Sequence, residues 1–250
     1  MPPRFFVDQT LTGLAESSEL SLPASAARHV QVLRLQPGDA LTLFDGGGDD
    51  WQAEVLRMGR SEVQVRLYAR QQVQRELPFE VTLALAMPAN DRMDTLVEKA
   101  TELGVGAIQP LMSERSVLRL VGERAQKKIA HWQAVAAAAC EQSGRAKVPR
   151  IAPVQTLAQW LAALDAGEAS DLQRRWLLSP SSAQPLHALV AAKPVAAPTL
   201  VLSGPEGGLS PAEEEAAQAK GFAAAQLGPR ILRADTAPLA VLAWLGLQQT

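Results

Sequence analysis

The sequence predicts an α/β protein in two parts, a small β-domain over 1–72 and a parallel-sheet domain over 73–250. Three observations carry that prediction. Short segments with strand periodicity, separated by turns, fill the first part. A polar stretch ending in proline, Gln71 to Pro78, interrupts the pattern and marks the boundary. Beyond it, short apolar runs alternate with helical stretches, the signature of βα units around a sheet covered on both faces.

In the first part, strands are expected at Phe5–Val7, Glu19–Leu22, Asp39–Phe44, Trp51–Arg57 and Glu62–Tyr68. From Glu62 to Leu67 polar and apolar residues change places at every step, as a half-buried strand requires. Asp45-Gly46-Gly47-Gly48-Asp49 forms the turn of a hairpin, glycine supplying positive φ. One helix is expected from Ser25 to Leu35, with Ser25 as its cap and Pro37-Gly38 as its stop.

In the second part, strands are expected at Val81–Met87, Ala107–Met112, Trp176–Leu178, Leu200–Leu202 and Ala223–Leu227. Helices are expected at Asp91–Leu103, Gly122–Ser143, Thr156–Leu164, Pro185–Ala192, Pro211–Lys220 and Thr236–Leu247. Ser210 and Glu213 form a capping box before the fifth of these, Pro211 suits its first position, and Glu213 to Glu215 meet the positive end of its dipole. Asp91, Asp94, Glu98 and Glu102 read as a solvated helix face with an N-terminal cap.

Composition excludes several classes. Apolar residues make up 47% of the 250 and charged residues 20%, ordinary globular usage. No run approaches the ~18 apolar residues of a membrane span, and the first residues are too short of apolar length for a secretory signal. Cytoplasmic residence is expected. The one cysteine, Cys140, excludes an intrachain disulfide and reads as a small buried residue of an Ala-rich helix. Net charge is −2, which by itself gives nucleic acid no preference. Locally the balance differs: from Arg115 to Arg150 eight basic residues face two acids, a candidate phosphate-contacting surface.

Dinucleotide, Walker, zincin and hydrolase-elbow motifs are all missing, and His29, His131 and His187 lack metal-ligand spacing. No metal is expected. Two loops near the end of the chain remain. Leu202 runs into Ser203-Gly204-Pro205-Glu206-Gly207-Gly208, and Leu227-Gly228-Pro229-Arg230-Ile231-Leu232-Arg233 leads to a helix that Asp235 or Thr236 can cap. Open α/β sheets bind ligands at such carboxyl ends of strands, and glycine lets the backbone approach closely.

Read together, GPEGGLSPAEEE and LGPRILRADTAPLA resemble the C-terminal signature of the RsmE group of SPOUT methyltransferases. RFFV, HVQVLRLQPGD, DRMDTLVEKATELGVGAIQPLMSERS and EQSGRAKVPRI follow that family's order, so the resemblance covers essentially the whole chain. It implies a PUA-like β-barrel for RNA, then a SPOUT-type parallel sheet whose C-terminal segment is threaded into a trefoil knot. It also implies S-adenosylmethionine as cofactor, a homodimer, and methylation of N3 of a uridine in 16S rRNA of the small ribosomal subunit.

Carried over by motif, the cofactor residues are Leu178, Ser179, Leu202, Ser203, Gly204, Pro205, Glu206, Gly207, Gly208, Leu227, Gly228, Ile231, Leu232, Arg233 and Thr236. RNA contacts fall to Arg28, His29 and Arg34 in the first part and to Arg115 and Arg145 in the basic run. Two departures stand out: Pro88-Ala89-Asn90 replaces the family's Pro-Lys-Gly, and Asp235 its usual Glu.

Uracil N3 must lose its proton before it attacks the methyl group, so the site needs charge stabilisation. Arginine suits that need: Arg233 is the first candidate, Arg230 and Arg4 follow, and Glu206 is a candidate proton acceptor. Arg233 could instead form a salt bridge to Asp235 or Glu206. Methylation of another RNA or atom, and a non-catalytic ribosome-assembly protein, are the competing readings.

Overall fold

A computed structural model of the chain describes residues 2–88, 92–164, 173–179, 184–191 and 197–248. Chain contacts divide it into two units, Met1–Glu76 with Ala137–Val148, and Leu77–Ala136 with Pro149–Thr250.

The first unit is built on β1 (Arg4–Phe6), β2 (Glu19–Ser21), α1 (Ala24–Val32), β3 (Ala40–Phe44), β4 (Asp49–Met58) and β5 (Val63–Gln72). Its sheet runs β1-β3-β4-β5-β2, with β1 parallel to β3 and the other pairs antiparallel. Alternation does the sorting: Val63, Val65 and Leu67 of β5 are fully buried while Arg66 and Tyr68 face outward. Against them pack Phe5, Leu41, Leu43, Ala53 and Val55, together with Ala26, Ala27 and Val30 of α1. Gly46 and Gly48 of the β3–β4 turn have φ of 87° and 110°, the left-handed values that favour glycine.

The structure differs from the sequence expectation at three points. Helix α1 starts at Ala24, with Pro23 at its N-cap, so Ser25 lies inside the first turn and caps nothing. Proline's fixed φ is already suited to that entry, and its carbonyl accepts the amide of Ala27 at 2.9 Å. The helix ends at Val32 because Arg34 turns left-handed, φ 58°, well ahead of Pro37. Gln71 and Gln72 belong to β5, paired with Asp50 and Asp49, and the irregular stretch begins only at Val73.

The second unit holds β6 (Val81–Ala86), α2 (Arg92–Glu102), β7 (Ala107–Met112), α3 (Gly122–Ser143, whose last turns belong to the first unit), β8 (Arg150–Ile151), β9 (Gln155–Thr156), α4 (Leu157–Ala163), β10 (Arg174–Leu178), β11 (Gln184–Pro185), α5 (Leu186–Ala191), β12 (Thr199–Ser203), α6 (Pro211–Ala219), β13 (Ala223–Gln226) and α7 (Thr236–Leu247). The sheet is parallel throughout, in the order β11-β13-β10-β12-β6-β7-β8, with β9 also on β7. Both faces are covered. Ala84, Ala86, Leu177, Leu200 and Leu202 meet Leu157, Trp160 and Leu161 of α4 and Ala217 of α6 on one side. Their neighbours Leu83, Leu85, Trp176 and Val201 are as deeply buried on the other, as parallel strands under two helical layers must be.

Ser210 caps α6 as expected, its hydroxyl taking the Glu213 amide while Glu213 returns a bond to the Ser210 amide. Cys140 is buried and its thiol is pushed up to about 12, chiefly by desolvation. Among the described residues no helix is long and apolar enough to cross a membrane.

Candidate active site

The strand register brings three carboxyl ends together. Leu178, the last residue of β10, pairs with Ser203 of β12 on one side and Ala225 of β13 on the other. Both glycine-bearing loops therefore leave the sheet at the same edge, although some twenty residues separate them in sequence. Between them lies a cavity of about 590 Å³, within the range of small-molecule sites.

Each loop has a local reason for its shape. An added methyl at Gly204 would stand 3.0 Å from the Leu209 nitrogen and 3.1 Å from the Gly208 carbonyl carbon, backbone that has no room to yield. The Gly208 amide closes a turn on the Pro205 carbonyl at 2.8 Å. In the second loop Gly228 has φ 100° and its carbonyl accepts from Gln226 Nε2 at 3.1 Å. Asp235 sits at the N-cap of α7 in helical conformation, so neither it nor Thr236 caps the helix. The loop satisfies that helix itself, the Arg233 carbonyl accepting the amides of Thr236 and Ala237 at 3.0 Å.

Most residues singled out from the two motifs do line this cavity: Leu178, Ser179, Ser203 to Gly208, Leu227, Gly228, Arg230, Ile231, Leu232 and Arg233. Leu202 is instead a core residue, and Thr236 lies outside the lining. Arg4 belongs to the first unit, where it is buried against Asp50 with its guanidinium 4.9 Å from the Phe44 ring centroid. Arg145 is buried there too, paired with Glu76, which removes it from any solvent-facing RNA surface. Arg28, His29 and Arg34 are exposed, and His29 Nδ1 lies 3.5 Å from Glu141. Burial pushes the Glu141 carboxyl up, although the Phe6 amide, His29 and Arg4 oppose the rise. Arg115 is tied down within the protein, its Nη1 donating to the carbonyls of Gly207 at 2.8 Å and Leu209 at 3.2 Å.

Arg92, Glu214 and Ala237 also line the cavity and escaped sequence reading. Arg92 Nη1 pairs with Glu206 at 3.1 Å, and Ser179 Oγ donates to Glu214 at 3.1 Å. Neither the salt bridge from Arg233 to Glu206 nor the one to Asp235 forms; among the described residues Arg230 and Arg233 have no ion pair. The nearest sequence signal for Arg92 was its place between two acids, Asp91 and Asp94.

Asp94 departs from the solvated helix face expected of these acids. Asp94 accepts from His131 Nε2 at 2.7 Å and Trp132 Nε1 at 2.8 Å, which ties the first turn of α2 to α3. Burial alone would raise its carboxyl, but those two bonds prevail and hold it below the ordinary value. Glu98 and Glu102 flank Lys99, each 2.8 Å from its ammonium. Asp91, Ala89 and Asn90 lie outside the described residues.

The cavity thus offers apolar walls, main-chain donors and acceptors from two loops, and cations and carboxylates at its edge. Those are the groups needed for a heterocycle, its polar edge and a charged tail. Comparison with known proteins assigns the class: the family model described as RNA methyltransferase domain matches residues 75–246, and that described as RNA methyltransferase PUA domain matches 22–68. Ribosomal RNA small subunit methyltransferase E of Bacillus subtilis is 30% identical, over 98% of this chain and 96% of its own length. Two solved structures are similar throughout. One is the same enzyme from Neisseria gonorrhoeae bound to S-adenosyl methionine, 33% identical with TM-score 0.88, covering 99% of this chain and 98% of its own. The other is a protein of Legionella pneumophila in complex with the same cofactor, 31% identical with TM-score 0.88 and the same coverage. The chain belongs to the ribosomal RNA small subunit methyltransferase E family.

Proposed function

We propose that this chain transfers the methyl group of S-adenosylmethionine to N3 of a specific uridine in 16S rRNA of the small ribosomal subunit. One observation carries the reading: two distant motifs meet around a single cavity at the carboxyl edge of the sheet. Leu178, Leu227 and Ile231 supply apolar contact for an adenine ring, and the main chain of Ser203 to Gly208 its polar partners. Arg92, Glu206 and Glu214 can hold the charged ends of an amino-acid tail. When bound, the cofactor supplies an electrophilic methyl group on a cationic sulfur.

Arg233 carries the charge work on the RNA side. Its guanidinium is exposed at the cavity without an internal carboxylate partner among the described residues, so it is available to stabilise the N3 anion of the target uracil. Arg230 beside it adds a second positive group. Glu206 is held by Arg92 and can accept the departing proton only by sharing its carboxylate with that cation. The remaining acceleration comes from holding the methyl group and N3 in line and in contact.

RNA is recognised by the PUA-like part, 1–72, through Arg28, His29 and Arg34, while 73–250 performs the transfer. The C-terminal segment is threaded as a trefoil knot; support comes from β12 inserted between β10 and β6 with β13 returning beside β10. The enzyme acts as a homodimer, because α7 is apolar around its circumference yet leaves Trp244 half-buried and Leu247 70% exposed. It works in the cytoplasm, where its ribosomal substrate is.

The test is nucleoside mass spectrometry after incubating the chain and S-adenosylmethionine with small subunits lacking uridine N3-methylation, with large subunits and transfer RNA in parallel. New 3-methyluridine confined to 16S rRNA is expected. Methylation at another atom or in another RNA would overturn the substrate assignment, and cofactor binding with no methylation of any RNA would favour a non-catalytic assembly role.

A further inference from the structure

The segment that follows β7 is attached both to the glycine loop and to helix α6 behind it. Ser113 and Ser116 are buried and close a tight turn, Ser116 Oγ accepting the Ser113 amide at 3.0 Å and lying 2.9 Å from the Ser113 hydroxyl. From that turn the Glu114 amide donates to Glu213 Oε1 at 2.7 Å, while Glu213 Oε2 takes the Ser210 amide at 2.9 Å. One carboxylate thereby caps α6 and anchors the turn. The Arg115 side chain then reaches the two carbonyls on either side of Gly208, those of Gly207 and Leu209, through Nη1. Its stem packs on the same loop, Cβ and Cδ both 3.6 Å from where a Gly207 methyl would stand.

From this geometry we infer that Arg115 is a positioning residue for the cofactor: it holds the Gly204–Leu209 loop in its ligand-ready shape without lining the cavity itself. The physical need is clear. A loop with three glycines loses much backbone entropy when it is ordered. A charged donor bound to two of its carbonyls restrains the loop before the ligand arrives. Arg115 therefore acts on cofactor affinity rather than on RNA affinity, although it opens a strongly basic stretch of the chain.

The inference rests on the reading of the cavity as an S-adenosylmethionine site. It is tested on the full chain by calorimetric titration of S-adenosylmethionine into the wild type, R115M and R115K, with KM for cofactor and for RNA measured separately and melting temperature as the control for folding. R115M removes the donor and keeps most of the stem; it is expected to weaken cofactor binding by about tenfold, the ratio for one to two charge-assisted bonds. KM for RNA and kcat at saturating cofactor should change less than about twofold, and R115K, which keeps one cationic donor, should recover part of the affinity. If R115M does not fold, R115K alone decides, by binding more weakly than wild type or equally well. Unchanged cofactor affinity with a raised KM for RNA would overturn the inference and make Arg115 an RNA contact. A wild type that does not bind S-adenosylmethionine would instead remove the reading of the cavity, and the inference with it.

Discussion

Basic residues in this chain divide into those that hold the protein and those that remain for a substrate. Arg4 and Arg145 are buried ion-pair partners of Asp50 and Glu76, and removing one member of such a pair costs about 3–5 kcal/mol because the other charge is left unsolvated. Arg115 is spent on two carbonyls and Arg92 on Glu206. Arg230 and Arg233 stay exposed at the cavity. That asymmetry gives Arg233→Met a specific expected outcome: kcat falls by about 100-fold, the usual scale for one group stabilising a developing anion, while cofactor affinity holds. Because a nearby cation favours the ionised base, its loss moves the rising limb of the pH–kcat profile to higher pH. A lower kcat with an unmoved profile would assign Arg233 to another task. Sequence ranks Arg233 ahead of Arg4 and puts it in a loop that lines the cavity, but the burial of Arg4 against Asp50 is beyond it, since burial and partner are set by residues far along the chain.

Among the elements, those whose ends are written in local chemistry were the most legible. Helices α3 and α7 run over the residues that periodicity indicated, and α6 begins at the Ser210–Glu213 box. Helix α1 starts ahead of its serine because Pro23 does locally what a serine cap would otherwise do. Helix α2 carries more than its sequence suggests: its acids look like a solvated stripe, but Asp94 ties α2 to His131 and Trp132 of α3 and so fixes the helix that presents Arg92. Asp94→Asn is therefore expected to destabilise the protein at neutral pH by about 1.5–3 kcal/mol, the scale of hydrogen bonds to a charged group. The pH dependence has a definite sign. The folded carboxyl titrates below its ordinary 3.8, so its contribution is present above that value and is lost as pH falls through the folded one. Denaturant melts of wild type and variant should converge in acid; a constant gap between them would show that the charge of Asp94 contributes nothing.

At the scale of the whole molecule, sheet order and the uncovered apolar surface matter most. Helix α7 carries Pro238, Val241, Leu242 and Leu245 into the core while Leu247 stays 70% exposed. Leu247→Glu is accordingly expected to convert a dimer to monomers in sedimentation at fixed concentration, and a wild type that sediments as a monomer would refute the homodimer. The sequence by itself determined the α/β class, the alternation of elements, the two loops that flank the cavity and the family, because side-chain periodicity, capping and turn chemistry act over a few neighbouring residues. Only the tertiary structure decided that β12 lies between β10 and β6, that Arg92 meets Glu206 across 114 positions and that Arg4 meets Asp50 across 46. Such pairings depend on how strands far apart in sequence are brought together, through long crossovers in the parallel sheet and through strand order in the first unit, and no local pattern of charge or hydrophobicity specifies which remote partner a given side chain will reach.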